Sequence, residues 1–324
     1  MFKNEVSEFI YKRTYSRWLD GEKRREEWPE TIERFLGFLI SERPDIPEKT
    51  ISKIRKYMTE FAVMPSMRFL WAAGPAAKFD NTCIYNCSFA KINCVEAFAE
   101  CLYILMCGTG FGFSIEKEEV DKLPVIPTIK SGRGLDTIPI FDSKAGWADS
   151  VKMLMSNLYD GQNVYFDYSQ IRLEGARLRT MGGRASGPAP LIKLHDFIRE
   201  TMHNAQGRKL STLEAHDICN QIAEIVVVGG VRRSSQISLS DLEDKDMRHA
   251  KDWPYPIKRA MANNSAIYRE KPSAGEFLKE WAALALSGTG ERGIFNLDAA
   301  KKKAPSRRYA PLIEGTNPCG EIML

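Results

Sequence analysis

The sequence predicts an α/β fold, on three observations. Short apolar runs alternate with helix-patterned stretches from Phe69 onward; two of those stretches open on a capping box; and 324 residues, 44% hydrophobic and 27% charged, suffice for a large core. Roughly the first 60 residues are charged and helical in spacing, with Trp18, Trp28, Phe35, Leu36, Phe38 and Leu39 as expected anchors and Pro44 and Pro47 in the turn between helices. Residues 1–65 are therefore expected to form a helical region and 66–324 the body. In the body, five runs read as strands: 110–115, 163–166, 236–239, 265–268 and 293–297. Between them, Cys94, Phe98, Cys101 and Leu105 repeat at helical spacing as a core stripe. Ser211-Thr212-Leu213-Glu214 and Ser273-Ala274-Gly275-Glu276 are capping boxes, and Gly229-Gly230 and Gly288 stop the helices they open. Asn263-Asn264-Ser265 is expected to be a turn, and 124–139, rich in Pro, Gly and Thr, a long loop. Strands alternating with helices imply mostly parallel pairing.

Composition excludes several classes. The net charge of +4, from 46 basic against 42 acidic residues, is too balanced and dispersed for a nucleic-acid arm or a membrane anchor. No run reaches the about 18 to 20 apolar residues of a span, and the first residues lack the apolar core of a signal peptide, so a cytoplasmic protein is expected. Seven cysteines without a secretion signal argue for free thiols. The five between Cys83 and Cys107 contain no C-x-x-C, and with four histidines in the chain no structural metal site is expected. The same histidines show no spacing for a hydrolytic triad.

The chemistry concentrates near the C-terminus, in Gly315-Thr316-Asn317-Pro318-Cys319-Gly320-Glu321-Ile322. In an extended segment Asn317, Cys319 and Glu321 would share one face. A carboxylate can take a hydroxyl proton, an amide can orient that hydroxyl, and a thiol can hold reactive electron density. Gly182-Gly183-Arg184-Ala185-Ser186-Gly187-Pro188 and Gly229-Gly230-Val231-Arg232-Arg233-Ser234-Ser235 combine backbone N–H groups, hydroxyls and guanidinium forks suited to phosphate. Gly108-Thr109-Gly110 lets backbone approach a ligand before the strand at 110.

Together these stretches resemble the ribonucleotide reductases, most closely the adenosylcobalamin-dependent class II enzymes of the monomeric ribonucleoside-triphosphate type. The resemblance rests on Tyr11-Lys12-Arg13-Thr14-Tyr15-Ser16-Arg17-Trp18, Asn86-Cys87-Ser88-Phe89, Gly183-Arg184-Ala185-Ser186-Gly187-Pro188, Asp217-Ile218-Cys219-Asn220, Gly230-Val231-Arg232-Arg233-Ser234, Gly293-Ile294-Phe295-Asn296-Leu297-Asp298 and Asn317-Pro318-Cys319-Gly320-Glu321-Ile322, in family order. It implies a ten-stranded α/β barrel, of which this chain supplies roughly the first half, with Cys319 at the tip of a finger loop as the thiyl radical. Glu321 would then take the 3′-hydroxyl proton, Asn317 would bind the ribose hydroxyls, and Cys87 would be one half of the reducing dithiol. The resemblance further implies substrate binding by Ser66, Asn86, Gly108, Thr109 and Gly110, and an effector loop carrying Gly229, Gly230, Arg232, Arg233 and Ser234.

The same resemblance implies adenosylcobalamin as cofactor, a ribonucleoside triphosphate as substrate, a deoxynucleoside triphosphate effector and a thioredoxin-like reductant. Segment 117–141 is short where the monomeric reductases carry an insertion that builds the effector site. The second reducing cysteine and the C-terminal cysteine pair do not occur, so a complementary C-terminal polypeptide is expected to complete the site. Two other readings stay open: a class I-type large-subunit fragment, and a catalytically silent nucleotide-binding subunit.

Overall fold

A computed structural model of the chain describes residues 2, 4–130, 137–176, 184–229 and 234–324. The chain divides into two compact units, Met1–Asn86 and Cys87–Leu324.

The first unit contains α1 (Glu5–Thr14), β1 (Trp18–Leu19), β2 (Arg24–Arg25), α2 (Trp28–Glu42), α3 (Glu48–Thr59), α4 (Met67–Ala72) and α5 (Pro75–Phe79). Asn4 caps α1 by accepting from the Ser7 N–H, and a Glu27–Glu30 capping box with Pro29 in the first turn opens α2. Tyr11, Trp28, Ile32, Phe35, Leu36, Ile51, Met58 and Leu70 form its core, with Trp28 stacked on Phe61 at 5.0 Å. Glu26 is buried and paired with Arg34 at 2.8 Å. Trp18, an expected anchor, is instead 43% exposed: it sits in a two-residue strand facing Arg25, outside the helical stripe assumed for it.

The second unit runs β3 (Cys87–Lys91), α6 (Val95–Met106), β4 (Gly110–Ser114), α7 (Lys117–Val120), β5 (Ile138–Pro139), α8 (Lys144–Tyr159), β6 (Phe166–Asp167), α9 (Ala189–Asn204), α10 (Thr212–Gly229), β7 (Gln236–Asp241), α11 (Lys245–Arg248), β8 (Ala262–Tyr268), α12 (Ala274–Ser287), β9 (Gly293–Asn296) and α13 (Leu297–Lys303). Five strands form one sheet in the order β3-β4-β7-β8-β9, every pair parallel. A parallel sheet needs cover on both faces. Phe111 and Phe113 of β4 pack with Phe98, Leu102 and Leu105 of α6 and Ile218 and Ile222 of α10 in the larger core. Ile237, Leu239, Ile267 and Phe295 form a second core with Leu297 and Ile313.

Four of the five expected strands lie in this sheet. Residues 163–166 do not: only Phe166 and Asp167 pair, with Ile138 and Pro139 in a separate two-stranded sheet. The fifth place belongs to β3, which sequence pattern alone did not mark. The expected turn at Asn263-Asn264-Ser265 is part of β8, where buried Asn264 shares hydrogen bonds with His216 (3.0 Å) and Ser238 (2.9 Å). A buried, partnered amide is as compatible with a strand as with a turn. Cys94, expected in the core stripe, is the exposed N-cap of α6, three residues before the buried face begins at Ala97.

Both predicted capping boxes form. Ser211 Oγ accepts from the Glu214 N–H and Glu214 accepts from the Ser211 N–H, and the Ser273–Glu276 pair repeats the exchange, with Gly288 in the left-handed conformation ending α12. Among the described residues no helix is long and apolar enough to cross a membrane.

Candidate active site

The reactive loop is not extended. Thr316 and Met323 form an antiparallel bridge, the Asn317 N–H donates to the Ile322 carbonyl at 3.1 Å, and the Gly320 N–H closes a turn on the Asn317 carbonyl at 2.9 Å. Pro318 and Gly320, the latter at φ +79°, bend the chain where alternation assumed a straight run. The consequence is a division of labour: Asn317 is fully buried, whereas Cys319 and Glu321 stand exposed at and beyond the tip.

The sheet supplies a seat for this loop. A Cβ on Gly112 of β4 would lie 2.2 Å from the Thr316 carbonyl oxygen, and one on Gly315 would lie 2.1 Å from the Phe89 ring of β3. Both positions therefore exclude a side chain. Register puts Phe89 beside Gly112 and Cys87 beside Gly110, so the bare face of β4 and the Cys87 edge are the same surface. Asn317 Nδ2 donates to Cys87 Sγ at 3.1 Å, joining residues far apart in sequence. Lys91, at the far end of β3, pairs with Glu314 at 2.6 Å and Glu119 at 3.3 Å. Burial disfavours its charge, but the two carboxylates more than offset that and hold its pKa above the ordinary value.

Gly108 has a local explanation. It follows the C-cap of α6 at φ +73°, its N–H donates to the Leu105 carbonyl (2.8 Å) and the Thr109 N–H to that of Ile104 (3.2 Å), a Schellman closure. The turn delivers Gly110 to the first position of β4, opposite Cys87, where Ser88 Oγ donates to the Gly110 carbonyl at 3.0 Å. Thus Cys87, Gly110 and Asn317 come together, with Cys319 and Glu321 on the same loop. Ser66 caps α4 in the first unit, accepting from the Phe69 N–H at 3.1 Å, and Asn86 is that unit's exposed last residue.

Of the effector-loop residues, Gly230, Arg232 and Arg233 lie outside the described residues, as do Gly182 and Gly183 of the other glycine loop. Gly229 ends α10, and Ser234 is half-buried. The residue after it, Ser235, accepts from the Phe111 N–H at 2.9 Å, so this loop's end meets the start of β4 beside Gly110. No cluster suited to a metal ion occurs among the described residues. Phe89, Gly112 and the Lys91–Glu314 pair were missed from sequence. The alternation Gly110-Phe111-Gly112-Phe113, bare on one side and aromatic on the other, was the available signal for the seat.

An exposed thiol on a tight loop, with a second thiol at the edge of the sheet that seats the loop, is an arrangement suited to thiol chemistry. Known proteins narrow it. The family model "Ribonucleotide reductase alpha domain" matches residues 1–75, and "B12-dependent ribonucleotide reductase, insertion domain" matches 131–202. The adenosylcobalamin-dependent ribonucleoside-triphosphate reductase of Lactobacillus helveticus is 28% identical over 405 residues, covering 99% of this chain and 53% of that enzyme. The Lactobacillus leichmannii enzyme of the same name is 28% identical over 386 residues, covering 97% and 52%. A crystal structure of a B-12 dependent (class II) ribonucleotide reductase matches with a TM-score of 0.84 at 26% identity, over 98% of this chain and 53% of that one.

In sequence and in fold the chain is similar to the class II ribonucleotide reductases. It spans about half the length of the curated relatives it matches. The insertion-domain match begins inside the segment 117–141 and extends over β5, α8 and β6 into α9.

Proposed function

We propose that this chain is the portion of an adenosylcobalamin-dependent ribonucleoside-triphosphate reductase that carries the radical cysteine and one reducing cysteine. The observation that supports the reading is the hydrogen bond from Asn317 to Cys87, which holds the loop carrying Cys319 and Glu321 against the Cys87 end of β3. Reduction exchanges the 2′-hydroxyl of a ribonucleotide for hydrogen: two thiols become a disulfide and one water leaves.

In this reading the Cys319 thiyl takes the 3′ hydrogen and returns it at the end of the cycle. The Glu321 carboxylate accepts the 3′-hydroxyl proton, the Cys87 thiol protonates the departing 2′-hydroxyl, and Cys87 with a cysteine from the complementary polypeptide provides the two electrons. The site is compatible with the cofactor, since Cys319 is exposed and the adjacent Gly320 has open space where a Cβ would sit. When bound, adenosylcobalamin supplies the initiating radical by cleavage of its cobalt–carbon bond. The Gly108–Gly110 turn, level with Cys87, receives the nucleotide. Segment 228–235 relays the deoxynucleoside triphosphate effector to β4 through Ser235. A thioredoxin-like protein restores the dithiol, in the cytoplasm.

The test is deoxyribonucleotide formation from a ribonucleoside triphosphate with adenosylcobalamin and a dithiol, with and without a complementary C-terminal polypeptide. Product in the mixture alone is expected. No product in the mixture, with nucleotide still bound, would overturn the assignment.

A further inference from the structure

Asn317 has one acceptor oxygen and one donor nitrogen to offer, and the loop leaves no choice in how they point. The Ile322 N–H, which can only donate, lies 2.9 Å from Oδ1, and Thr316 Oγ1 reaches the same oxygen at 3.4 Å. That fixes the amide orientation on chemical grounds and turns Nδ2 to Cys87 Sγ at 3.1 Å. Asn317 is wholly buried, so neither contact is exchanged readily for water. The backbone around it is rigidly seated, because Gly112 and Gly315 allow the approach and leave no free space in it.

We infer that Asn317 is a positioning residue that couples the finger loop to the oxidation state of Cys87. Its oxygen locks the turn that displays Cys319, and its nitrogen takes hold of the sulfur that the reaction oxidises. A thiol sulfur accepts that N–H. A sulfur drawn into a disulfide with a second cysteine turns toward its new partner and releases the amide. The loop is therefore firmest when Cys87 is reduced and loosens after Cys87 has given up its electrons. The functional labels rest on the reading proposed above, whereas the coupling itself rests on the geometry.

Hydrogen exchange of the Ile322 amide in the intact chain reads the lock without any turnover. Cys87→Ala removes the acceptor and should speed that exchange about fivefold, the factor corresponding to roughly 1 kcal/mol for one hydrogen bond. Cys87→Ser retains an acceptor and should stay near the parent rate. Asn317→Ala, which loses both contacts, should exchange fastest. Parent-like exchange in Cys87→Ala, or Cys87→Ser as fast as Cys87→Ala, would overturn the coupling. Because no cofactor or substrate enters, a failure to form deoxyribonucleotide would sink the proposed function and leave this result standing.

Discussion

Replacing Gly112 by alanine would drive a methyl group into the Thr316 carbonyl, at 2.2 Å, where backbone must move rather than a side chain swing aside. The expected outcome is a loss of roughly 1–3 kcal/mol, as for other overpacked sites, seen as a lower urea midpoint, together with loss of activity in the completed enzyme. Cys319→Ser should abolish reduction and leave nucleotide binding nearly intact; unchanged turnover would remove Cys319 from the chemistry. His195 makes a different prediction. It is buried between Ser150 (3.0 Å) and Tyr168 (2.7 Å), and burial first, with Arg199 adding to it, pushes its pKa from 6.5 down to about 3. A depressed value means that the fold holds the neutral ring, so its stabilisation is complete above pH 6.5 and is lost as pH falls toward 3. Between pH 7 and pH 5 the parent should lose about 2 kcal/mol from this source, and His195→Gln should lack that loss in urea titrations at the two pH values. At this scale the amide, thiol and carboxylate at every second position drew the eye to Asn317, Cys319 and Glu321, but the shared face that alternation implied is not formed, since the turn buries Asn317 and exposes the other two. The seat was not legible, because Gly112 acquires its meaning from Thr316, which the linear pattern does not connect to it.

Helix ends were the most legible elements, since a cap depends on residues within one turn. Ser273 illustrates this: its Oγ accepts from the Glu276 N–H at 3.2 Å while Glu276 reaches back at 2.9 Å. Ser273→Ala should cost about 1 kcal/mol, measured as a drop in the urea midpoint. Further along α12, Glu280 and Arg292 are almost fully buried and paired at 2.6 Å, with Arg248 as a second partner of the carboxylate. Burial alone would raise the Glu280 pKa, but the two guanidiniums outweigh it and hold it low. Glu280→Ala would strand two arginines and should cost roughly 3–5 kcal/mol, checked by thermal unfolding. Strand β3 was illegible for a corresponding reason. Cys87-Ser88-Phe89-Ala90-Lys91 has no β-branched residue and no strict alternation; its strand state comes from pairing with β4 along Cys87–Gly110 and Phe89–Gly112.

For the whole molecule, the alternation of strands and helices foretold a parallel sheet, and the main sheet of the second unit has five parallel strands among the described residues. Its division from the first unit after Asn86 had no comparable signal, because no Gly- or Pro-rich linker marks that position. The order of the strands carries a kinetic consequence. Residue Phe111 pairs with Gln236, so β4 waits for β7 while the intervening stretch of α8, α9 and α10 is made and packed. Such long-range closure must bear its loop entropy before any ladder bond forms. Diluted from denaturant, the chain should regain helical signal quickly and native sheet slowly. Its refolding yield should fall as protein concentration rises, because half-built parallel edges from different molecules meet before β7 arrives.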